Sequence, residues 1–235
     1  MNPALSGLIA ALSWGTHDFA ARFVAQGIGY VNAVLGVTLA GIGWLGLYIL
    51  VFGEVITLSA DIWLAAVSGG VFALATMWLF AALAIGPVAV VAPIVGAFPI
   101  YNVAFAVMQG AQPDPLTWAA MAAVISGVVV VARYDPAAGG EPKSWRPRFS
   151  PALAFSFASG FCFAVSFIVG QQATVILGEV QTVFIGRFFG LAVIVAVLLQ
   201  RAEAPRLPVR WWPVFVGMGA LDAIALVSVV AAGHT

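Results

Sequence analysis

Polar residues are sparse along this chain, and the gaps between them mark out its elements. Eight stretches run almost wholly apolar: Leu5–Gln26, Val31–Phe52, Trp63–Ile85, Val88–Met108, Pro115–Arg133, Ser150–Gly170, Val180–Gln200 and Trp211–Ala232. A hydrocarbon layer about 30 Å thick is crossed by about 20 helical residues, so each stretch predicts one transmembrane helix. The runs are continuous, whereas barrel strands would alternate over about ten residues. Links such as Gly27–Tyr30 and Gly86-Pro87 are short, which forces neighbouring helices to run antiparallel. The predicted fold class is an all-α polytopic membrane protein of eight spans.

One link is longer. Tyr134–Phe149 contains Pro136, Gly139, Gly140, Pro142 and Pro147, and it divides five spans from three. The first three spans begin near 5, 31 and 63, the last three near 150, 180 and 211. The offset is nearly constant, and a shift of 147 also lays Gly217 on Gly70. A unit with five spans sends its second copy into the membrane from the opposite face. The expected organisation is therefore an inverted repeat, residues 1–133 and 150–235 about a linker at 134–149, as in many secondary transporters. The same shift lays Thr235 on Val88, so the second copy is expected to lack its fourth and fifth spans. The favoured reading is a truncated product of a ten-span protein, with Ala232-Gly233-His234-Thr235 as a turn towards another helix. A complete eight-span protein is the alternative.

Composition narrows the function. Of 235 residues, 63% are hydrophobic and 8% charged, and the mean hydropathy is +1.09. Soluble domains carry about 25% charged residues, so a soluble enzyme is excluded. Nine Lys and Arg balance nine Asp and Glu, leaving no basic stripe for nucleic acid. The single cysteine, Cys162, excludes internal disulfides and CxxC sites. Trp63, Trp118, Trp145, Trp211 and Trp212 fall at span ends, where an interfacial aromatic belt is expected.

Charges inside the spans are the candidate chemistry. They are Asp18, Arg22, Arg187 and Asp222. Each would cost about 2.5–3.5 kcal/mol at a helix centre, so they should face the bundle interior and pair. At about 1.5 Å per residue, Arg187 and Asp222 differ by only about 5 Å in depth on consecutive helices, within an arginine's reach. Their pair reads either as a packing device for spans seven and eight or as a binding and proton-coupling group. Asp18 and Arg22 lie four apart on one helix, which allows a structural pair between them. Arg22 is alternatively a side chain that snorkels to the interface. The sharper reading of Asp18 places it in the solute cavity. His17 adds a group that titrates near neutral pH, but with no third ligand no metal site is expected. Trp14, Trp78, Tyr101 and Asn102 complete the mid-span groups able to meet a solute. Pro93 and Pro99 free carbonyls in span four and predict a bend beside the cavity. Gly186 and Gly190 form GxxxG, which permits close helix approach and a homodimer.

Several short motifs carry a family likeness. They are Trp14-Gly15 followed by Phe19, the run from Gly86-Pro87 through Pro93 to Pro99, and Leu116 with Gly127-Val128. With the five-plus-three order of spans, the chain resembles the drug/metabolite transporter superfamily, specifically its ten-span EamA-like members. Gln112 stands where those proteins usually have glutamate, and His17-Asp18 replaces small or uncharged residues. The resemblance implies export or exchange of a small organic solute without ATP hydrolysis; a bacterial inner membrane is the expected location, proton or ion coupling is one option for the driving force, and no cofactor is expected.

Arg133, Lys143, Arg146 and Arg148 flank one link, and Arg201, Arg206 and Arg210 another on the same face. The positive-inside rule puts both links in the cytoplasm and the N-terminus outside, whereas the resemblance implies a start inside. A membrane-embedded enzyme would need HExxH, paired aspartates or a nucleophile with its base, and the chain contains none of these. No GxxxxGK[ST] loop exists for a primary pump. An inactive remnant or assembly subunit is the remaining rival.

Overall fold

The structure, a computed structural model, describes residues 3–54, 56, 59–133 and 151–232. The expected linker 134–149, with Trp145, and the last turn at 233–235 lie outside the described residues. Among the described residues nine α-helices follow in order: α1 (Pro3–Ile28), α2 (Tyr30–Phe52), α3 (Ile62–Ile85), α4 (Val88–Gly96), α5 (Phe98–Met108), α6 (Pro115–Arg133), α7 (Pro151–Leu177), α8 (Glu179–Gln200) and α9 (Trp212–Ala232). Among the described residues there are no strands. Six segments are long and apolar enough to cross a membrane, with α4 and α5 counted as one. α1 has the length, at 26 residues, but its inward polar residues lower its hydropathy. α6 has 19 residues.

α7 extends seven residues beyond the Gly170 end expected from sequence. Gln171 and Gln172 read as a polar stop, yet both are exposed and the helix continues beneath them to Leu177. What ends it is Gly178, at φ 79°, a conformation open to glycine without strain. Gly29 does the same between α1 and α2 at φ 84°. Each glycine's N–H closes the preceding helix, onto Ala25 O at 3.0 Å and Thr174 O at 2.9 Å. Each carbonyl then opens the next helix. The two hinges stand 149 positions apart, the offset already seen in the spans.

Helix directions follow from register. Ser68 Oγ donates to Ser166 O at 2.9 Å, Ser166 Oγ to Ser68 O at 2.9 Å, and Ser159 Oγ to Ala75 O at 2.8 Å. α3 and α7 are therefore antiparallel, stitched by hydroxyls that have no water to turn to. α1 and α9 are likewise antiparallel, with Trp14 against Asp222 and Gly27 under Trp211. α3 runs parallel to α8, with Ala65 and Gly69 on Gly186 and Ala73 on Gly190. α2 runs parallel to α9, with Gly36 on Phe215 and Ala40 on Gly219. Exchanging α1–α3 for α7–α9 maps each of these packings onto another. α2 meets α8 across the centre, Gly41 near Arg187 and Gly46 near Phe184, so they are antiparallel. The two three-helix sets thus point in opposite senses.

Span four is broken rather than merely bent. α4 ends at Gly96, Ala97 N–H turns back to Pro93 O at 3.1 Å, and α5 restarts with Pro99 in its first turn. Proline there cannot donate to the carbonyl one turn back, so the ladder is already interrupted. Before α6, Asp114 Oδ1 accepts from Thr117 N–H at 2.7 Å. That backbone donor holds the exposed Asp114 carboxyl below its ordinary range.

Arg22 does not pair with Asp18. Its Nη1 donates to Gly86 O at 3.0 Å, and Gln26 Nε2 donates to Ala84 O at 3.2 Å. The unsatisfied carbonyls and negative dipole end of α3 attract the guanidinium more than a carboxylate already held by His17 does. An Arg22→Leu variant is expected to lose about 1.5–3 kcal/mol, the worth of a charge-assisted hydrogen bond, in detergent unfolding. An unchanged midpoint would remove this capping role.

Candidate functional site

Asp222 lies halfway along α9, at the convergence of α1, α3, α7 and α8. Its Oδ1 accepts from Trp14 Nε1 at 3.1 Å, and its Oδ2 accepts from Arg187 Nη2 on α8. The side chains of this pair are 6% and 5% exposed. Arg187 Cζ sits 5.6 Å from the centroid of the Phe72 ring, a cation–π distance. A Cβ placed on Gly41 would come 3.4 Å from Arg187 Cζ, so the absence of a side chain there makes room for the guanidinium. Arg187 Nε is buried with no protein partner.

A turn earlier on the seam, His17 Nδ1 lies 3.0 Å from Asp18 Oδ1. The imidazole packs 5.7 Å from the Phe80 ring, and its Nε2 is buried with no protein partner. Asp18 is the more open of the two, with 18% of its side chain exposed against 4% for His17.

Two cavities meet at Asp222. One, of about 90 Å³, is bounded by Trp14, His17 and Asp18 of α1, Val95 and Gly96 of α4, Phe98 of α5, and Phe163 and Phe167 of α7. The other, of about 40 Å³, runs past Ser68 and Gly69 of α3 to Thr182, Gly186 and Arg187 of α8. Phe72, Thr76, Phe167 and Asp222 line both. Phe98 tilts onto Phe167 at 4.9 Å, and Trp14 onto Phe167 at 5.8 Å.

Of the residues singled out in the sequence, the structure brings Trp14, His17, Asp18, Arg187 and Asp222 together. It does not bring Trp78, Tyr101 or Asn102 to the cavities. Trp78 is two positions past Thr76, about 200° round the helix, and so faces away. Tyr101 lies past the break in span four, edge-on to Phe161 at 6.1 Å, in a groove lined by Ile94, Ile125 and Phe157. α5 continues along α7, so only its first residue reaches the centre. The aromatic wall of Phe72, Phe98, Phe163 and Phe167 went unnoticed in the sequence, although Phe163 and Phe167 stand at helical spacing beside Ser159 and Ser166. Among the described residues no three His, Cys, Asp or Glu gather as a metal site.

A bundle of apolar helices in two opposed sets, with a charged cavity on their seam, has the build of a membrane transporter. The profile of the EamA-like transporter family matches residues 1–133, and the chain belongs to that family. Its members are transporters rather than enzymes. The chain is accordingly an integral membrane protein. No curated protein is similar enough to match it.

Proposed function

We propose that the chain is a secondary carrier that moves a small organic solute by alternating access. The observation that carries this reading is the position of the cavity. It lies where two oppositely directed three-helix sets meet, and it holds Asp18, Arg187 and Asp222 away from lipid. Rocking one set against the other would open such a seam to one face at a time, as inverted repeats do around a fixed midplane site. The break at Ala97 beside the cavity supplies a point where α4 and α5 can change angle. Residues 151–232 serve in this reading as the second copy of the unit, and ion coupling replaces nucleotide hydrolysis.

The test is solute counterflow in liposomes holding the purified full chain, with a panel of amines, amino acids, sugars and carboxylates. One or more solutes are expected to exchange. Asp18→Asn should lower the initial rate at least about tenfold, the effect of weakening one charge-assisted hydrogen bond worth about 1.5–3 kcal/mol. Membrane insertion and thermal midpoint should stay near those of the parent, because Asp18 is partly open. Unchanged flux in Asp18→Asn would remove this residue from the pathway.

A further inference from the structure

The buried cluster is short of one positive charge. Two carboxylates, Asp18 and Asp222, share the seam with a single fixed cation, Arg187. Among the described residues no other Lys, Arg, Asp or Glu lines either cavity; from α3, α4, α5 and α7 the facing groups are uncharged. Arg22, the nearest further cation along α1, lines neither cavity and donates to the Gly86 carbonyl. Among the described residues lining the cavities, His17 is the remaining group that can add a positive charge, and it does so only when protonated. An isolated net charge in a low-dielectric interior is costly, so the cluster favours any state that supplies the second cation.

The wall beside these carboxylates is aromatic. Trp14, Phe72, Phe98, Phe163 and Phe167 form a connected set, with centroids 4.9–6.4 Å apart where their rings meet. Aromatic faces attract cations and shelter their apolar substituents, and quaternary ammonium groups are recognised by such cages. An anion would meet two carboxylates here, and a neutral solute would leave the imbalance in place.

We propose that this cavity binds an organic cation, an amine or quaternary ammonium with an apolar body, and that this cation and the proton on His17 alternate as the second positive charge of the cluster. Loading the cation expels the proton, and release of the cation readmits it. No bond other than N–H of His17 forms or breaks, and charge is conserved at each exchange. The exchange across the membrane rests on the carrier reading above; the binding does not.

Phenyltrimethylammonium is the probe, because it has no proton to lose and any proton released on binding comes from the protein. The full chain in detergent is titrated by calorimetry at pH 5.5 and pH 8, in buffers of different ionisation enthalpy. Binding is expected to be at least about tenfold tighter at the higher pH, with up to one proton released per cation in between. 2-Phenylethanol and 3-phenylpropionate should bind at least about tenfold more weakly than the cation at pH 8. His17→Gln should still bind the cation with the pH dependence removed. Asp18→Asn, at a more open position, should lose the preference for the cation and serves even if His17→Gln does not fold. Equal binding of the neutral or anionic analogue would overturn the proposal, as would absent cation binding or an intact pH dependence in His17→Gln.

Liposomes made acidic inside should then take up the cation. If the panel shows transport of neutral or anionic solutes but not of the cation, this inference fails and the carrier reading stands. If the cation binds with its proton signature and no solute crosses, the carrier reading and the exchange fail while the binding site stands.

Discussion

Arg187→Met is expected to destabilise the protein by about 3–5 kcal/mol, the usual cost of removing one partner from a buried ion pair. Without the guanidinium, Asp222 keeps only Trp14 Nε1 as a donor, at a position 4% exposed. The deficit should shrink as pH falls, because a protonated Asp222 is no longer an unpaired charge. The double variant Arg187→Met/Asp222→Leu should recover most of the loss, since paired removal of a buried ion pair is often neutral or stabilising. Thermal or denaturant unfolding in detergent reads both numbers. Transport separates structure from function: the double variant should be stable yet inactive in counterflow. A double variant no more stable than Arg187→Met would show that the pair is not the source of the loss. Full activity in it would show that these charges are outside the solute path.

That experiment bears on a choice the sequence leaves open. Depth arithmetic could place Arg187 and Asp222 within reach of each other, because charges in an apolar run stand out and a helix fixes their spacing. Whether the pair locks helices or serves a solute depends on what surrounds it. Arg187 touches more than α9: it lies over Phe72 of α3 and against Gly41 of α2, so four helices meet on one guanidinium. A structural role and a place at the cavity coexist.

The spans themselves were legible because a bilayer leaves so few alternatives for the backbone. Their ends were less so where a polar residue could look outward. Gln171 and Gln172 imitate a stop, and only the pairing of Gly29 with Gly178 at the repeat offset discloses the true one. The partner of Arg22 was hidden for a different reason. That carbonyl is 64 residues away, beyond any rule about neighbours on one helix. The aromatic wall was hidden by composition. In lipid the outward and inward faces of a helix are similarly apolar, so hydropathy does not tell cavity-facing Phe163 from outward-facing Phe161, which is 57% exposed. The break at Ala97 redirected α5, which is why Tyr101 and Asn102 do not follow Phe98 into the centre.

The remaining strong expectation concerns two adjacent glycines on α3. A Cβ on Gly69 would fall on the Gly186 backbone of α8, a clash that no rotamer change relieves. A Cβ on Gly70 would meet only Val193 Cγ2 at 3.5 Å, an ordinary contact. Alanine is preferred to glycine in a helix by about 0.8–1 kcal/mol, so both substitutions share the same intrinsic gain. Gly70→Ala should therefore be neutral or slightly stabilising. Gly69→Ala must instead push α3 from α8, and overpacking of this kind costs about 1–3 kcal/mol or more. Because the clash is with backbone, the upper part of that range is expected to outweigh the helix gain. Gly219→Ala offers the counterpart on the other side of the seam, where a Cβ would sit 2.7 Å from Ala40 Cβ and 2.7 Å from Gly41 N. It should destabilise as Gly69→Ala does, because α9 on α2 repeats the packing of α3 on α8. Moving Gly41 also moves the wall behind Arg187, so Gly219→Ala should lower counterflow more than its loss of stability alone explains. Unfolding midpoints of the three variants decide the matter. If Gly69→Ala and Gly70→Ala melt alike, the close crossing of α3 and α8 is wrong, and with it the rigid seam on which alternating access depends.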